Sequence, residues 1–291
     1  MNLHQSTAQI FVPDGQPADA ACGRITHLGI GAHPDDLEFM AFHGIAECFG
    51  HPTKCFGGVT CTDGAGSRRT GAFARFTDAQ MMAVRGAEQN QAAVIGRYGV
   101  MIQLGYASQA ARAAAAELQA DLEQILAATR PQTVYMHNLA DKHDTHVGVA
   151  LATLHALRAR PAAERPKHVI GCEVWRDLDW LDDADKVLMD VSGHDALAAE
   201  LTGVFASQIA GGKRYDLATL ARRTANATFL KPRATDEAGR IIFGMDLTPL
   251  VADETRDIAD FVAGHIAALA ADVRRRLTRP RSPSGSVRPG N

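Results

Sequence analysis

The chain is short of every feature that would mark a nucleic-acid or membrane partner. Its 291 residues hold 30 Lys and Arg against 33 Asp and Glu, for a formal net charge of -3. It therefore lacks the basic stripe that is the electrostatic footprint of nucleic-acid binding. Aromatics make up only 6% of residues, too few for an extended base-stacking surface. No apolar run reaches the ~18 residues of a membrane span. Residues 1–24 contain no charged start followed by an apolar run, so no signal peptide is expected. The cysteines, Cys22, Cys48, Cys55, Cys61 and Cys172, are odd in number and form no CxxC pair. They read as reduced, mostly buried thiols of a cytoplasmic protein. No internal repeat is visible.

What is present is a core-forming composition, 46% hydrophobic, with strands and helices in alternation. Strands are expected over 24–31, 53–61, 100–104, 132–137, 169–174 and 187–191. Helices are expected over 36–50, 78–97 (with Asp78 as N-cap), 107–130, 145–160, 193–210, 217–227 and 253–277. Residues 1–23 are polar and contain Pro and Gly, as an arm would. Residues 24–277 are read as a single domain, and 278–291, rich in Pro, Arg, Ser and Gly, as a disordered tail. The alternation predicts an α/β fold with a mostly parallel sheet covered on both faces. Ligands of such sheets bind at the carboxyl ends of the strands.

Two clusters follow strands there. His33-Pro34-Asp35-Asp36 follows the first strand, and Asp141-Lys142-His143-Asp144-Thr145-His146 follows the fourth. The spacing of three between His33 and Asp36 brings both side chains to one side of a turn, and Pro34 shapes that turn. With His146 they make a two-histidine, one-carboxylate metal set. These donors suit Zn2+, although Fe2+, Mn2+ or Co2+ also accept them. Asp35 points away from the ligand plane and is the candidate general base. His143 is the candidate partner for a developing oxyanion, or, as an imidazolium, the acid for a leaving amine. Gly29-Ile30-Gly31 lacks the third glycine of a dinucleotide loop, and acidic residues stand where a pyrophosphate would sit.

Other residues have two readings each. Arg85 binds substrate or pairs with Glu88 on its own helix. Arg68 and Arg69 clamp an anionic substrate or stay solvated in their loop. His137 lines the pocket or is a satisfied core histidine. Trp175 and Trp180 form a sugar-stacking wall or fill the core. Lys213-Arg214-Tyr215 touches substrate or leads into a helix. His194 has only the context of a helix start.

Ala32-His33-Pro34-Asp35-Asp36-Leu37-Glu38 resembles the A-H-P-D-D-x-E signature of the PIG-L/LmbE-like deacetylases. Asp141-x-His143-x-x-His146 is similar to that family's second motif, D-x-H-x-D-H. Arg85 and Glu88 match its R-x-x-E, Thr62-Asp63-Gly64 its T-x-G loop, and Ser207-Gln208 a late Ser-Gln pair. Thr145, Asp144 and Ala65 depart from the pattern. The resemblance implies a Rossmann-like three-layer αβα sandwich that removes acyl groups from amino sugars. It implies zinc on His33, Asp36 and His146, Asp35 as base, and His143 on the tetrahedral intermediate. Glu38 and Asp141 would orient these groups, and Asp63, Arg68, Arg85 and Trp175 would contact substrate. The expected partner is a small N-acylated molecule. A homo-oligomer is compatible with such a fold, but no interface signature is seen. Alternatives are a metal amidase acting on a thiol conjugate or other N-acyl metabolite, and a non-catalytic metal- or ligand-binding protein.

Overall fold

Eight strands of the computed structural model, which describes residues 1–278, form one sheet. The tail expected over 278–291 lies, beyond Thr278, outside the described residues. The strands are β1 (Gln9–Phe11), β2 (His27–Gly31), β3 (Phe56–Thr62), β4 (Val100–Tyr106), β5 (Thr133–His137), β6 (His168–Cys172), β7 (Lys186–Asp190) and β8 (Ile241–Asp246). Their order is β1-β4-β3-β2-β5-β6-β8-β7. The stretch β4-β3-β2-β5-β6 is parallel, while β1 and β8 pair antiparallel with β4 and β6, and β7 with β8. Every residue of β3 and of β5 is buried, as expected of central parallel strands covered on both faces.

The helices are α1 (Ala18–Gly23), α2 (Asp36–Met40), α3 (Phe42–Cys48), α4 (Asp78–Ile95), α5 (Ser108–Arg112), α6 (Ala116–Thr129), α7 (Asp144–Arg158), α8 (Asp195–Gly203), α9 (Ala206–Ile209), α10 (Tyr215–Phe229), α11 (Thr248–Ala252) and α12 (Ile258–Thr278). Alternation along the strands divides the core. Val134 and Met136 of β5 join Leu28, Ile30 and Val59 in a cluster with Leu122 of α6, Leu154 of α7 and Leu250 of α11. Tyr135 points the other way, into a cluster with Phe42 of α3, Ala92 of α4 and Leu201 of α8. The result is the three-layer αβα arrangement that the alternation of elements predicts. Among the described residues no helix is long and apolar enough to cross a membrane.

Several elements differ from the sequence expectations. The helix expected over 107–130 is two, α5 and α6, separated where Ala114 turns to φ 48°. Helix propensity favours continuation through this Ala-rich stretch, but packing overrides it. α5 lies so close to α7 that a Cβ on Gly148 would sit 2.3 Å from the Ala111 carbonyl oxygen. The helices expected over 36–50 and 193–210 are likewise broken, at Ala41 and at Val204–Phe205. The N-cap of α4 is Thr77, not Asp78: Thr77 and Gln80 form a capping box. β1 and β8 have no counterpart in the expectations. The first is a three-residue edge strand, and the second is inserted antiparallel between β6 and β7. The N-terminal segment is held against the body, with the His4 ring 2.7 Å from Asp121 of α6.

Candidate active site

The adjacency of β2 and β5 brings the two sequence clusters together at one edge of the sheet. The chain leaves β2 at Gly31 and enters α2 at Asp36. It leaves β5 at His137 and enters α7 at Asp144. His33 Nδ1 lies 3.2 Å from Asp36 Oδ2 and 3.2 Å from His146 Nε2, and His146 Nε2 lies 3.5 Å from Asp36 Oδ1. The edges of a zinc tetrahedron with bonds of 2.0–2.1 Å are about 3.3 Å long, so the three donors have the spacing of a shared ion. The His146 tautomer also fits. Its Nδ1 is 3.1 Å from Asp141 Oδ2, which fixes the proton there and leaves Nε2 its lone pair.

Two further histidines border this set. His137 is fully buried and stacked on His146 at a ring-centroid distance of 3.8 Å. Its Nε2 accepts the Ala32 N–H at 2.9 Å, so that lone pair is spent on the backbone. His143 stacks on His146 at 4.5 Å and meets His33 edge-on at 5.1 Å. Both His33/His143/His146 and Asp36/His137/His146 also bring donor atoms near one another.

Asp35 sits beside the set with φ at 108°, in the left-handed region that disfavours a side chain. Its backbone N–H donates to Gln89 Oε1 at 3.0 Å, and its carboxylate is 2.9 Å from the Arg85 guanidinium. Arg85 donates as well to Ser67 Oγ and the Pro34 carbonyl. The pairing of Arg85 with Glu88 is therefore not what forms. Glu88 instead accepts from Ser207 N–H at 2.8 Å and Ser207 Oγ at 2.6 Å, which ties the Ser-Gln pair to α4. Glu38 touches no metal-set residue. It accepts from Tyr98 at 2.6 Å and Gln89 at 2.9 Å, and so supports Asp35 through Gln89. Asp141 anchors His146 and also accepts from the His143 and Trp175 backbone N–H groups.

A cavity of about 540 Å³ opens over these groups. His33, Asp35, Asp36 and His143 line it with Arg68, Trp175, Lys213 and Tyr215. Of the two tryptophans only Trp175 faces the cavity; Trp180 packs at the edge of the core. Lys213 is more than a helix lead-in, because its ammonium lies 4.8 Å over the Trp175 ring. Asp63 is not among the lining residues. Its carboxylate accepts from Ala65 N–H at 2.9 Å and closes its own loop. His194 is the N-cap residue of α8, away from this cavity. Arg112 and Arg222 are lining residues absent from the sequence-based readings. The one signal for the Asp35 support was the spacing of four between Arg85 and Gln89, which puts both on one face of α4.

The electrostatics separate the two neighbouring aspartates. Burial raises the Asp36 carboxyl, but the His146 and His137 rings outweigh it and hold Asp36 well below the usual range. Burial pushes Asp35 well up, against the opposing pull of Arg85. Burial, then the neighbouring His146 and His33, pushes His143 down to about 4. That direction favours the oxyanion-partner reading of His143 over the imidazolium acid. Burial lifts Glu38 to about 7.

Residues 28–157 match the family model PIG-L, described as GlcNAc-PI de-N-acetylase. The comparison with curated proteins gives no match. Among solved structures, the conserved protein TT1542 from Thermus thermophilus is 20% identical, with 80% of this chain and 99% of that one covered and a TM-score of 0.58. The N,N'-diacetylchitobiose deacetylase from Pyrococcus horikoshii is 14% identical, with 81% and 88% covered and a TM-score of 0.61. GalB, the 4-carboxy-2-hydroxymuconate hydratase from Pseudomonas putida, is 16% identical, with 77% and 96% covered and a TM-score of 0.57. At such identities the likeness shows a shared fold, and a fold that carries both a deacetylase and a hydratase leaves the reaction to be argued from the site. In agreement with the resemblance read from the two His/Asp clusters, the chain carries the PIG-L (GlcNAc-PI de-N-acetylase) family pattern over residues 28–157.

Proposed function

We propose that the chain is a metal-dependent hydrolase that removes an N-acyl group, acetyl in the first instance, from an amino-sugar-containing small molecule. The observation that carries this reading is the three-donor set of His33 and Asp36, which line the cavity, and fully buried His146 behind them, with the buried carboxylate of Asp35 beside it. Zinc is the proposed metal; when bound, it would polarise the acyl carbonyl and lower the pKa of water to about 7.

The protein groups then have distinct tasks. Asp35 takes the proton of the attacking water. Burial pushes its pKa up against the pull of Arg85, the direction that strengthens a carboxylate as a base. Arg85 orients that carboxylate, so its guanidinium is already committed and is not a substrate clamp. Neutral His143 donates one N–H to the acyl oxygen as charge develops there. Water oxygen bonds to the acyl carbon, the carbon–nitrogen bond breaks, and the proton held by Asp35 passes to the departing amine. His143, held near 4, is the poorer acid for that step. Trp175 offers a face for the sugar ring.

The test is amine release from a panel of N-acetylated amino sugars by wild type, Asp35→Asn and chelated protein. Asp35→Asn should retain metal and lose about 10²–10⁴-fold in rate, the usual share of general base catalysis. Chelated protein should be folded and inactive. Protein that binds no metal, or Asp35→Asn with full activity, would overturn the reading. Unfolding on chelation would point to a structural ion instead.

A further inference from the structure

We propose that the substrate carries an anionic group, a phosphate or a carboxylate, received by Arg68, Arg112, Lys213 and Arg222 in the cavity wall. The inference rests on the N-deacylase reading of the cavity floor and adds the chemical class of the rest of the substrate.

These four cations come from three separate stretches of chain: the loop between β3 and α4, helix α5, and the segment that leads into and through α10. They are therefore brought together by the fold and are not one solvated charge run. Sequence neighbours make the contrast. Arg69 donates to Ala65 O at 2.7 Å and Asp78 at 2.5 Å, whereas Arg68 lines the cavity. Arg214 is bound to Asp216 at 2.7 Å, whereas Lys213 lines the cavity over Trp175. Buried Arg223 donates to the Glu38 and Phe39 carbonyls at 2.9 and 3.0 Å. Arg222 gives one N–H to the Val174 carbonyl and keeps the rest of its fork.

Apart from the pull between Glu173 and Arg222, the carboxylates of the same wall do not answer these charges. Asp35 is held by Arg85, and Asp36 accepts from the His33 backbone N–H at 2.7 Å within the histidine cluster. Glu173 is buried and accepts from Asn226 at 2.5 Å and from the Phe243 and Leu178 N–H groups. Among the described residues Arg68, Arg112 and Lys213 thus line the wall with no carboxylate partner, and Arg222 has only the pull of buried Glu173, which three other donors already engage, in a chain whose net charge is -3. A guanidinium pair matches a phosphate or carboxylate through parallel N–H bonds. The Lys213 ammonium, 4.8 Å over the Trp175 ring, adds a further cationic donor to the same wall.

The experiment compares N-acetylglucosamine with N-acetylglucosamine 1-phosphate and N-acetylmuramic acid, which bear phosphate and carboxylate respectively. Binding by calorimetry and amine release are measured on the metal-loaded protein, as wild type, Arg112→Gln/Arg222→Gln and the control Arg214→Gln. Metal content and circular dichroism confirm that the variants fold. Wild type should prefer at least one anion over the neutral sugar by about tenfold or more, in line with a charge-assisted hydrogen bond. The double variant should lose most of that ratio and Arg214→Gln should keep it. The larger preference identifies phosphate or carboxylate as the group. Equal affinity for all three ligands, or a preference unchanged in the double variant, would overturn the proposal. Anion binding without amine release from any ligand would uphold the anion site and remove the deacylase reading. Deacetylation with no anion preference would do the reverse.

Discussion

The left-handed backbone at Asp35 gives a test of whether this structure stores strain where it needs a carboxylate. Replacing Asp35 by Gly or by Ala removes the same ion pair to Arg85, so that loss cancels between the two variants. What differs is the backbone at φ 108°. A Cβ in the left-handed region costs roughly 1–2 kcal/mol, and glycine loses roughly 0.5–1 kcal/mol to its freer unfolded chain. The balance leaves Asp35→Gly more stable than Asp35→Ala by about 1 kcal/mol, or about 2 °C in Tm for a chain of this size. Thermal and urea denaturation of the chelated proteins would measure it, free of any difference in metal affinity. The sign is diagnostic, because at an ordinary position alanine is the more stabilising of the two. If Asp35→Ala is as stable as Asp35→Gly or more so, the strain argument fails. Both variants should be inactive, since the proposed base is absent from each.

Two further predictions concern the His/Asp groups. Asp141→Asn keeps the shape but removes the charge that fixes the His146 tautomer, and should weaken metal binding by about 10–100-fold, read by competition with a chromogenic chelator. Stability should also fall in acid for a reason unconnected with the metal. Burial pushes His27 down to about 4 and also lowers His43, so the fold favours their neutral rings. That contribution is fully present above the unfolded value near 6.5 and is lost as pH falls through the folded value. Tm of the chelated protein measured from pH 7.5 to 4.5 should therefore decline below about 6.5, with a shallower slope in His27→Gln. An identical slope in that variant would remove His27 from the account.

The two His/Asp clusters were legible because each follows a short apolar strand, and because strand ends in a parallel α/β sheet gather ligands at one edge. The resemblance of Ala32–Glu38 to a family signature named the same residues. What surrounds them was much less legible. Arg85 lies three residues from Glu88, so the local pattern allows a helix-face pair as readily as a substrate contact; the fold pairs it with Asp35 and sends Glu88 to Ser207. Gln89 and Tyr98 give no sign in the sequence that they meet Glu38. Arg112 belongs to a stretch that reads as uninterrupted helix. Only the break after α5, beside Gly148 of α7, gives it its place in the cavity wall.

Short-range chemistry thus determined six of the eight strands, the turn built by His33, Pro34 and Asp36, and the types of donor in the candidate metal set. These depend on alternation, spacing and backbone preference within a few residues. The tertiary structure alone decided which nitrogen of His146 meets Asp141, the partner of Arg85, the burial that lowers the His143 pKa and the seat of Lys213 over Trp175. Each depends on burial or on groups distant in the chain, and folding brings those together by packing the two faces of the sheet.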